Sequence, residues 1–388
     1  MIKNDKIKYS QMALLLCVII PAEKVLGLPV SSFKCGGRDF WVALAINFIL
    51  DFVCLIPILI GLKNNKNNVP VREIMNNAIG KIPTKIIFAL LGLTFVAKFL
   101  VVFSDTLSLF FNTFVFKSNW VAFAAVALIA GGFLLIRGFK TIARLSEIYF
   151  IPVVVCLIAI IALSIKDCDI NNLRPFADEG FAKIGKTCLF SSFYFSDFLL
   201  IWLLSGDITE INKRREQIPL GFAAGGILAV AVSVVYIALF GELAHYGDVA
   251  IARVSQFNLN SLNVGRLDWL LIAVWINAIF FLLFTYAHCF IKCCENVLLS
   301  DTGEDLKNKK KCAIASYAVF GIAVVLLPLF FDIRFVISGI MQRGWGKYPF
   351  IAISAALAFS FPFFVNKVNK KQSATTRVRG KRVKILEV

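Results

Sequence analysis

Ten apolar runs, each close to the length of a membrane-crossing helix, divide the chain as far as residue 366. About 20 consecutive apolar residues are needed for a helix to cross a bilayer, and 59% of this chain is hydrophobic while 17% is charged. No stretch is left for a water-soluble domain, so the runs predict an all-α polytopic membrane protein with ten transmembrane helices. The predicted spans are 9–29, 40–62, 84–115, 119–137, 142–165, 185–205, 217–240, 267–292, 312–330 and 348–366.

The net charge of +17 would suggest nucleic acid as the partner of a soluble protein, but in a membrane protein the distribution of charge between loops is more informative. With the N-terminus inside, about two thirds of the 41 Lys and Arg residues fall on the inner side, as the positive-inside rule requires. We therefore expect both termini in the cytoplasm and the lipid bilayer, not nucleic acid, around the chain. One bundle (1–366) precedes a basic, irregular cytoplasmic tail (367–388).

The first span contains a proline and two ionisable side chains within four residues. Pro21 removes a backbone donor and its ring clashes with the carbonyl of Cys17, so the helix is predicted to break there. Glu23 and Lys24 follow, and charges at membrane depth persist only where they face protein or water. Two interpretations stay open: the break forms a ligand or ion site, or Glu23 and Lys24 form a local ion pair that extends to the headgroups.

Span 6 carries an acidic residue at its centre. Asp197 has no basic residue within one turn, and Tyr194 and Ser196 are polar neighbours in an otherwise apolar helix. Because an unneutralised carboxylate inside the membrane is expensive, it usually has a function. Asp197 is therefore the strongest single candidate for a functional residue.

Spans 2, 3 and 8 also contain polar residues. Lys98 and Asp105 lie two turns apart on one stripe of span 3, where they pair with each other or line a cavity. Asn277 of span 8 is a ligand candidate or an interhelical hydrogen-bond partner. Asn47 and Asp51, four residues apart on span 2, are expected to be structural. The candidate ligand-binding residues are Pro21, Ala22, Glu23, Lys24, Lys98, Val102, Asp105, Phe193, Tyr194, Ser196, Asp197, Asn277 and Phe281.

The ten predicted spans fall into two groups of five. A mainly polar outer loop, 166–183, separates a first half of about 9–165 from a second half of about 185–366. This layout favours an inverted repeat in which span 6 corresponds to span 1.

The chain lacks the residues of a familiar enzyme site. Its two histidines, His245 and His288, have neither metal-ligand spacing nor a nucleophile motif nearby. The ten cysteines show no metal or redox spacing. We therefore expect no catalytic residue, no bound metal and no cofactor.

Several short motifs occur in a fixed order along the chain. They are Ile7 and Gln11 followed by Leu26-x-Leu-Pro29, Gly138 with Ala143-Arg-Leu-Ser-Glu147 and Pro152, Asp169-Ile-Asn-Asn-Leu-Arg-Pro175, Phe240-Gly241, and Arg266-Leu-Asp-Trp269. In this order, and with a Phe-rich span 6 that contains a central acid, the chain resembles the spore germination permease family. These proteins are the B subunits of endospore germinant receptors, a branch of the amino acid–polyamine–organocation transporters.

The resemblance implies a fold of the leucine-transporter type, in which helices 1 and 6 unwind at mid-membrane and helices 3 and 8 complete the pocket. It also implies that the chain senses small germinants such as amino acids, together with a larger A-type subunit and a C-type lipoprotein, in the inner membrane of the spore. The chain departs from the family pattern at Ala22-Glu23, in place of a Gly-Thr-like pair, and at Phe195-Ser-Asp197, which lacks a glycine. Whether span 6 unwinds therefore stays open.

Two functional hypotheses follow. In the first, the chain is a receptor subunit that binds a zwitterionic amino acid, with the ligand's ammonium group near Asp197 or Glu23 and its carboxylate toward Lys24 or Lys98. The germinant then shifts the population of conformations that partner subunits detect. In the alternative, the chain is an ion-coupled secondary amino-acid transporter, and Asp197 or Glu23 is the coupling group.

Overall fold

The computed structural model describes residues 6–65, 68–114, 120–174, 177, 180–209, 216–261, 268–298, 306–330, 332 and 336–386. Nearly all of them are helical. The helices are α1 (Tyr9–Lys24), α2 (Leu28–Gly36), α3 (Phe40–Asn64), α4 (Val71–Ile79), α5 (Lys81–Phe114), α6 (Trp120–Ile136), α7 (Phe139–Ser164), α8 (Phe181–Ser191), α9 (Phe198–Leu203), α10 (Gln217–Phe240), α11 (Ala250–Ser261), α12 (Asp268–Leu298), α13 (Leu306–Phe330) and α14 (Lys347–Leu386). Two short strands, β1 (Ile7–Lys8) and β2 (Ile208–Thr209), pair in parallel.

The helices confirm the predicted fold class. Within the described residues, seven helical segments are long and apolar enough to cross a membrane, and the count of ten is not reproduced by that criterion. The predicted spans 2 to 5 and 7 to 10 each correspond to one helix, α3, α5, α6, α7, α10, α12, α13 and α14. Predicted spans 1 and 6 each consist of two helices separated by a break.

The break in span 1 is not where the sequence suggested. Pro21 was expected to end the helix, but α1 continues to Lys24 and the irregular residues are 25–27. Pro21 removes one N–H donor and crowds the Cys17 carbonyl, but the turn after it still forms, since Val25 N–H donates to the Pro21 carbonyl over 3.1 Å. The helix ends instead where other elements provide partners for its backbone.

Span 6 is broken as well, which answers the question that the sequence left open. α8 ends at Ser191, one 3₁₀ turn follows (Ser192–Tyr194), and α9 begins at Phe198. Phe195 between them is extended, with φ of −91° and ψ of 171°. Both broken helices therefore have a non-helical segment inside a membrane-spanning element.

The predicted tail, 367–388, is helical over its described part, since α14 continues without interruption to Leu386, and residues 387–388 lie outside the described residues. Lys and Arg are good helix formers, so the high charge of residues 367–386 does not oppose a helical backbone. Expecting an irregular tail from charge alone was wrong for this stretch.

Glycines let α10 pack closely on α1. A Cβ atom added at Gly221 would lie 2.2 Å from the Ala13 carbonyl oxygen, and one at Gly225 would lie 3.1 Å from that of Leu16. Small residues allow the backbones of membrane helices to approach each other in this way. α10 therefore holds the half of span 1 that carries Glu23 and Lys24.

We expect Gly221→Ala to destabilise the protein by about 1–3 kcal/mol, because the added methyl group overpacks a backbone contact. The measurement is thermal unfolding of the purified protein in detergent. Gly185→Ala on α8 is the matched control, since no heavy atom of the described residues lies within 4 Å of its added Cβ. Equal stability of the two variants would contradict the close approach of α1 and α10.

Candidate functional site

Side chains from span 1, span 3 and span 6 meet inside the bundle. Lys24 Nζ on α1 lies 2.6 Å from Asp197 Oδ2 in the break of span 6, and 2.7 Å from Oε2 of its neighbour Glu23. It also donates to the Tyr194 carbonyl oxygen over 2.9 Å. Lys98 of α5 donates to the same carbonyl over 3.1 Å and lies 3.5 Å from Glu23 Oε1. We call Glu23, Lys24, Lys98, Tyr194 and Asp197 the central cluster.

The central cluster is closed to solvent. The side chains of Glu23, Lys24, Lys98 and Asp197 are each at most 3% exposed. Removing one partner of a buried ion pair is strongly destabilising, because an uncompensated charge remains in a medium that solvates it poorly. Glu23 and Lys24 thus pair with residues of other spans as well as with each other. The cluster is a polar connection between α1, α5 and the break of span 6.

The backbone groups freed by the break of span 1 are bonded to neighbouring elements. The Gly27 N–H group donates to Asp105 Oδ2 of α5 over 3.2 Å. The carbonyl oxygens of Val25 and Leu26 accept from the first two N–H groups of α11, over 3.2 and 3.0 Å. Asp105 therefore faces the break of span 1 at the start of α2. Backbone polar groups at membrane depth need such partners, because lipid offers none.

In the break of span 6, freed backbone N–H groups donate to a side chain of α3. Asp51 Oδ1 accepts from Ser196 N–H over 2.8 Å, and Asp51 Oδ2 accepts from Asp197 N–H over 3.2 Å. One turn away, Asn47 Nδ2 donates to Ser191 Oγ over 2.8 Å. The i, i+4 spacing of Asn47 and Asp51 was the sequence signal for these contacts. Asp51 contacts the site but was not among the candidate ligand-binding residues.

Ser196 has a backbone conformation that side chains disfavour. Its φ is +104°, in the region where glycine is the usual residue. The resemblance placed a glycine in this part of the helix, and its absence here does not prevent the break. A non-glycine residue in such a conformation costs about 1–3 kcal/mol. The two bonds from Asp51 to the Ser196 and Asp197 N–H groups hold the strained segment in place.

Four other candidates lie next to the central cluster in the chain. Pro21 and Ala22 are buried in the last turns of α1. Val102 is buried on α5, one turn from Lys98. The Phe193 ring packs edge-on against the Tyr194 ring, with centroids 6.1 Å apart.

The two candidates from span 8 make other contacts. Asn277 Nδ2 donates to the Ala273 carbonyl of its own helix over 2.9 Å. The Phe281 ring packs edge-on against Tyr149 of α7, with centroids 5.4 Å apart. From α12, the ring that faces the central cluster is Tyr286, whose centroid is 5.7 Å from Lys98 Nζ.

A cavity of about 280 Å³ leads toward the central cluster, and we call it the vestibule. Its lining includes Ser31, Lys34, Val101, Tyr194, Asp248 and Arg343. Small-molecule sites usually have volumes of about 300 Å³ or more. The vestibule is close to the lower end of that range, so it suits a ligand of small size. Tyr194 belongs to both the vestibule and the central cluster, and the π-helix Ser338–Arg343 forms part of the wall.

Contacts between segments close the face on which α1 begins. β1 pairs with β2 directly after the second half of span 6, and Ile7 N–H donates to the Asp207 carbonyl over 3.0 Å. Asp207 Oδ2 also accepts from Lys292 Nζ of α12 over 2.5 Å. Gln11 Nε2 donates to Glu147 of α7 over 3.2 Å. Together, these bonds join α1, α7, α12 and the end of span 6 on the face opposite the vestibule.

Comparison with protein families gives a match over most of the chain. The family model described as "Spore germination protein" matches residues 6–335. A curated relative, Spore germination protein A2 of Bacillus subtilis (strain 168), is 24% identical over 148 residues. That alignment covers 38% of this chain and 40% of the relative.

Comparison with solved structures agrees with the predicted fold type. Two mutant forms of the manganese transporter of Eremococcus coleocola each superpose with a TM-score of 0.53 and 11% identity. Each match covers 92% of this chain and 76% of the transporter chain. A third structure, the same transporter in complex with an aromatic bis-isothiourea substituted compound, gives a TM-score of 0.51. The likeness concerns the fold and confirms the expected transporter architecture.

We expect Ser196→Gly to stabilise the protein by about 1 kcal/mol, because glycine adopts a positive φ without steric cost. The measurement is thermal unfolding in detergent. Ser192→Gly is the matched control: Ser192 has a helical φ of −55°, so glycine there should be neutral or destabilising. A loss of stability in Ser196→Gly, equal to that of the control, would show that Ser196 is not strained.

Proposed function

The chain belongs to the spore germination protein family, and on this premise we propose that it is a membrane-embedded germinant receptor subunit. It binds a small molecule at mid-membrane, and we propose an amino acid as that molecule. Binding signals germination through an A-type subunit and a C-type lipoprotein. The chain lies in the inner membrane of the spore with both termini in the cytoplasm.

The central cluster is the observation that supports this proposal most. Both broken helices contribute ionisable groups of opposite sign at one place, Lys24 from span 1 and Asp197 from span 6. A zwitterionic ligand needs an acceptor for its ammonium group and a cation for its carboxylate. Asp197 and Glu23 provide the first, and Lys24 and Lys98 provide the second.

The vestibule gives a ligand a route to this place. It reaches Tyr194, whose carbonyl oxygen already bonds both lysines of the central cluster. Its lining carries both charge signs, Lys34 and Arg343 together with Asp248. These charged groups offer partners for both ends of a small zwitterion inside the vestibule. The bonds around Asp207 keep the other face closed meanwhile.

Ligand binding transmits a signal if it favours one arrangement of the broken helices. A ligand shifts a conformational equilibrium only by its difference in affinity for the two states. In this chain the ligand competes for the ion pair between Lys24 and Asp197 and for the hydrogen bonds of Lys24 and Lys98 to the Tyr194 carbonyl. These contacts therefore differ between the free and bound states. Asp51 bonds the same break from α3, and α3 packs against α14. Movement of span 6 is thereby passed to helices at the edge of the bundle, where partner subunits can contact it.

We expect Asp197→Asn to abolish the germinant response or to shift its dose dependence at least tenfold. The substitution removes a charge that a ligand ammonium group needs, and tenfold corresponds to about 1.4 kcal/mol of binding free energy. The measurement is germination of spores that carry the variant with its partner subunits, as a function of amino-acid concentration.

Asp167→Asn is the control, because Asp167 is exposed at the end of α7. Both variants must be present in the spore membrane at the wild-type amount, which immunoblotting establishes. An unchanged dose response of Asp197→Asn at that amount refutes the assignment of Asp197 to the ligand site.

The similar fold of the manganese transporters makes an ion-coupled amino-acid transporter the second candidate. In that role, Asp197 or Glu23 would be the coupling group. Proteoliposomes that contain the purified chain alone separate the two proposals. Concentrative uptake of a radiolabelled amino acid, driven by a proton or sodium gradient, supports the transporter. Saturable binding without uptake supports the receptor.

A further inference from the structure

The ammonium group of Lys24 has a complete set of hydrogen-bond partners. A lysine ammonium carries three N–H donors, and Lys24 Nζ has three acceptors at 2.6, 2.7 and 2.9 Å. They are Asp197 Oδ2, Glu23 Oε2 and the Tyr194 carbonyl oxygen. Two of the three are charged and one is a backbone oxygen in the break of span 6. The Phe195 ring lies over the same group, with its centroid 5.2 Å from Nζ.

This set of acceptors defines a site for any primary ammonium group. A ligand RNH₃⁺ has the same three donors and the same charge as the lysine head group. We propose that the three acceptors form a primary-ammonium site that the chain fills with its own Lys24, and that the ammonium group of a ligand takes the place of Lys24. This proposal deepens the proposed function, on which it rests, by naming the ligand class and the step of binding.

The site has no room for both ammonium groups at once. The cavity beside the Lys24 side chain, between Phe195 and α10, has a volume of about 10 Å³. That is about the least space that holds one water molecule. A ligand ammonium group therefore binds only if Lys24 leaves its three acceptors. Exchange with Lys24 is thus the step by which a ligand ammonium group reaches these three acceptors.

Exchange also determines which ligands are suitable. When a ligand ammonium group displaces Lys24, the lysine loses its carboxylate partners and remains inside the membrane, where an unpaired charge is expensive. A ligand that carries a carboxylate next to its amine gives Lys24 a new partner. A zwitterion thus leaves every buried charge paired, whereas a simple amine or a simple carboxylate leaves one unpaired. The site favours α-amino acids over monovalent amines for this reason.

The test uses a variant in which the lysine head group is missing. Lys24→Ala removes four heavy atoms, three carbons and the nitrogen, and n-propylammonium contains the same four atoms. We expect purified Lys24→Ala to unfold at a lower temperature than the wild type. n-Propylammonium should raise that temperature in a saturable manner, because a ligand that binds only the folded state stabilises it. Tetramethylammonium, which has the charge but no N–H donor, and 1-propanol, which has the shape but no charge, should not.

Two control variants make the result specific. Lys166→Ala removes an exposed lysine, and its stability should not respond to n-propylammonium. Lys24→Ala combined with Asp197→Asn lacks both members of the closest ion pair of the central cluster, so it should be more stable than Lys24→Ala alone and should have lost the response. A response of the double variant equal to that of Lys24→Ala overturns the site.

Equal stabilisation of Lys24→Ala by n-propylammonium and tetramethylammonium also overturns the proposal, because it would show a general salt effect. If Lys24→Ala cannot be purified without additive, the amount of monodisperse protein extracted in each of the three compounds replaces the unfolding temperature, with the same expected order. The assay involves neither germinant nor spores. If n-propylammonium fails to stabilise Lys24→Ala while Asp197→Asn has the expected effect on germination, only the exchange is rejected. If n-propylammonium stabilises Lys24→Ala while Asp197→Asn leaves germination unchanged, only the assignment of Asp197 to the germinant site is rejected.

Discussion

The ion pair between Lys24 and Asp197 is the contact on which the arrangement of the two broken helices depends. It joins α1 directly to the break of span 6, and both side chains are almost completely buried. Charges in such a place are tolerated only when they are paired and hydrogen-bonded. The pair therefore requires that the two breaks stay at the same level of the bundle. Lys98 and Glu23 extend the same connection to α5.

In each break, a carboxylate of a neighbouring helix accepts hydrogen bonds from the freed backbone N–H groups. At the start of α2 the freed N–H group of Gly27 is bonded by Asp105. Next to α9 the freed N–H groups of Ser196 and Asp197 are bonded by Asp51. In both cases a carboxylate from a neighbouring full-length helix does what water would do in a soluble protein. Both carboxylates, Asp105 of α5 and Asp51 of α3, come from the first half of the chain, so one half of the bundle supports both broken helices.

Much of this could be predicted from the sequence, because hydrophobic length and intramembrane charge are local signals. The spans follow from apolar runs, and Glu23, Lys24, Lys98 and Asp197 are conspicuous in them. The predicted position of the first break was wrong. The actual position depends on bonds to α11 and Asp105, which are far away in the sequence. The break at Ser196 was uncertain because a strained φ is stabilised by Asp51, a tertiary contact that no local pattern encodes. The pairing of Lys24 with Asp197 joins residues 173 positions apart.

The two faces of the bundle differ because side-chain and backbone bonds connect the elements of one face, whereas the other face contains the vestibule. On the face where α1 begins, β1, Asp207 and Lys292 connect span 1, the end of span 6 and α12. On the other face the vestibule separates α2 from the π-helix before α14. The second half of span 6 is attached on the closed face, its break is attached to Lys24 and Asp51, and its first half is attached to Asn47 of α3. A rearrangement in the central cluster therefore reaches the vestibule through Tyr194, which belongs to both.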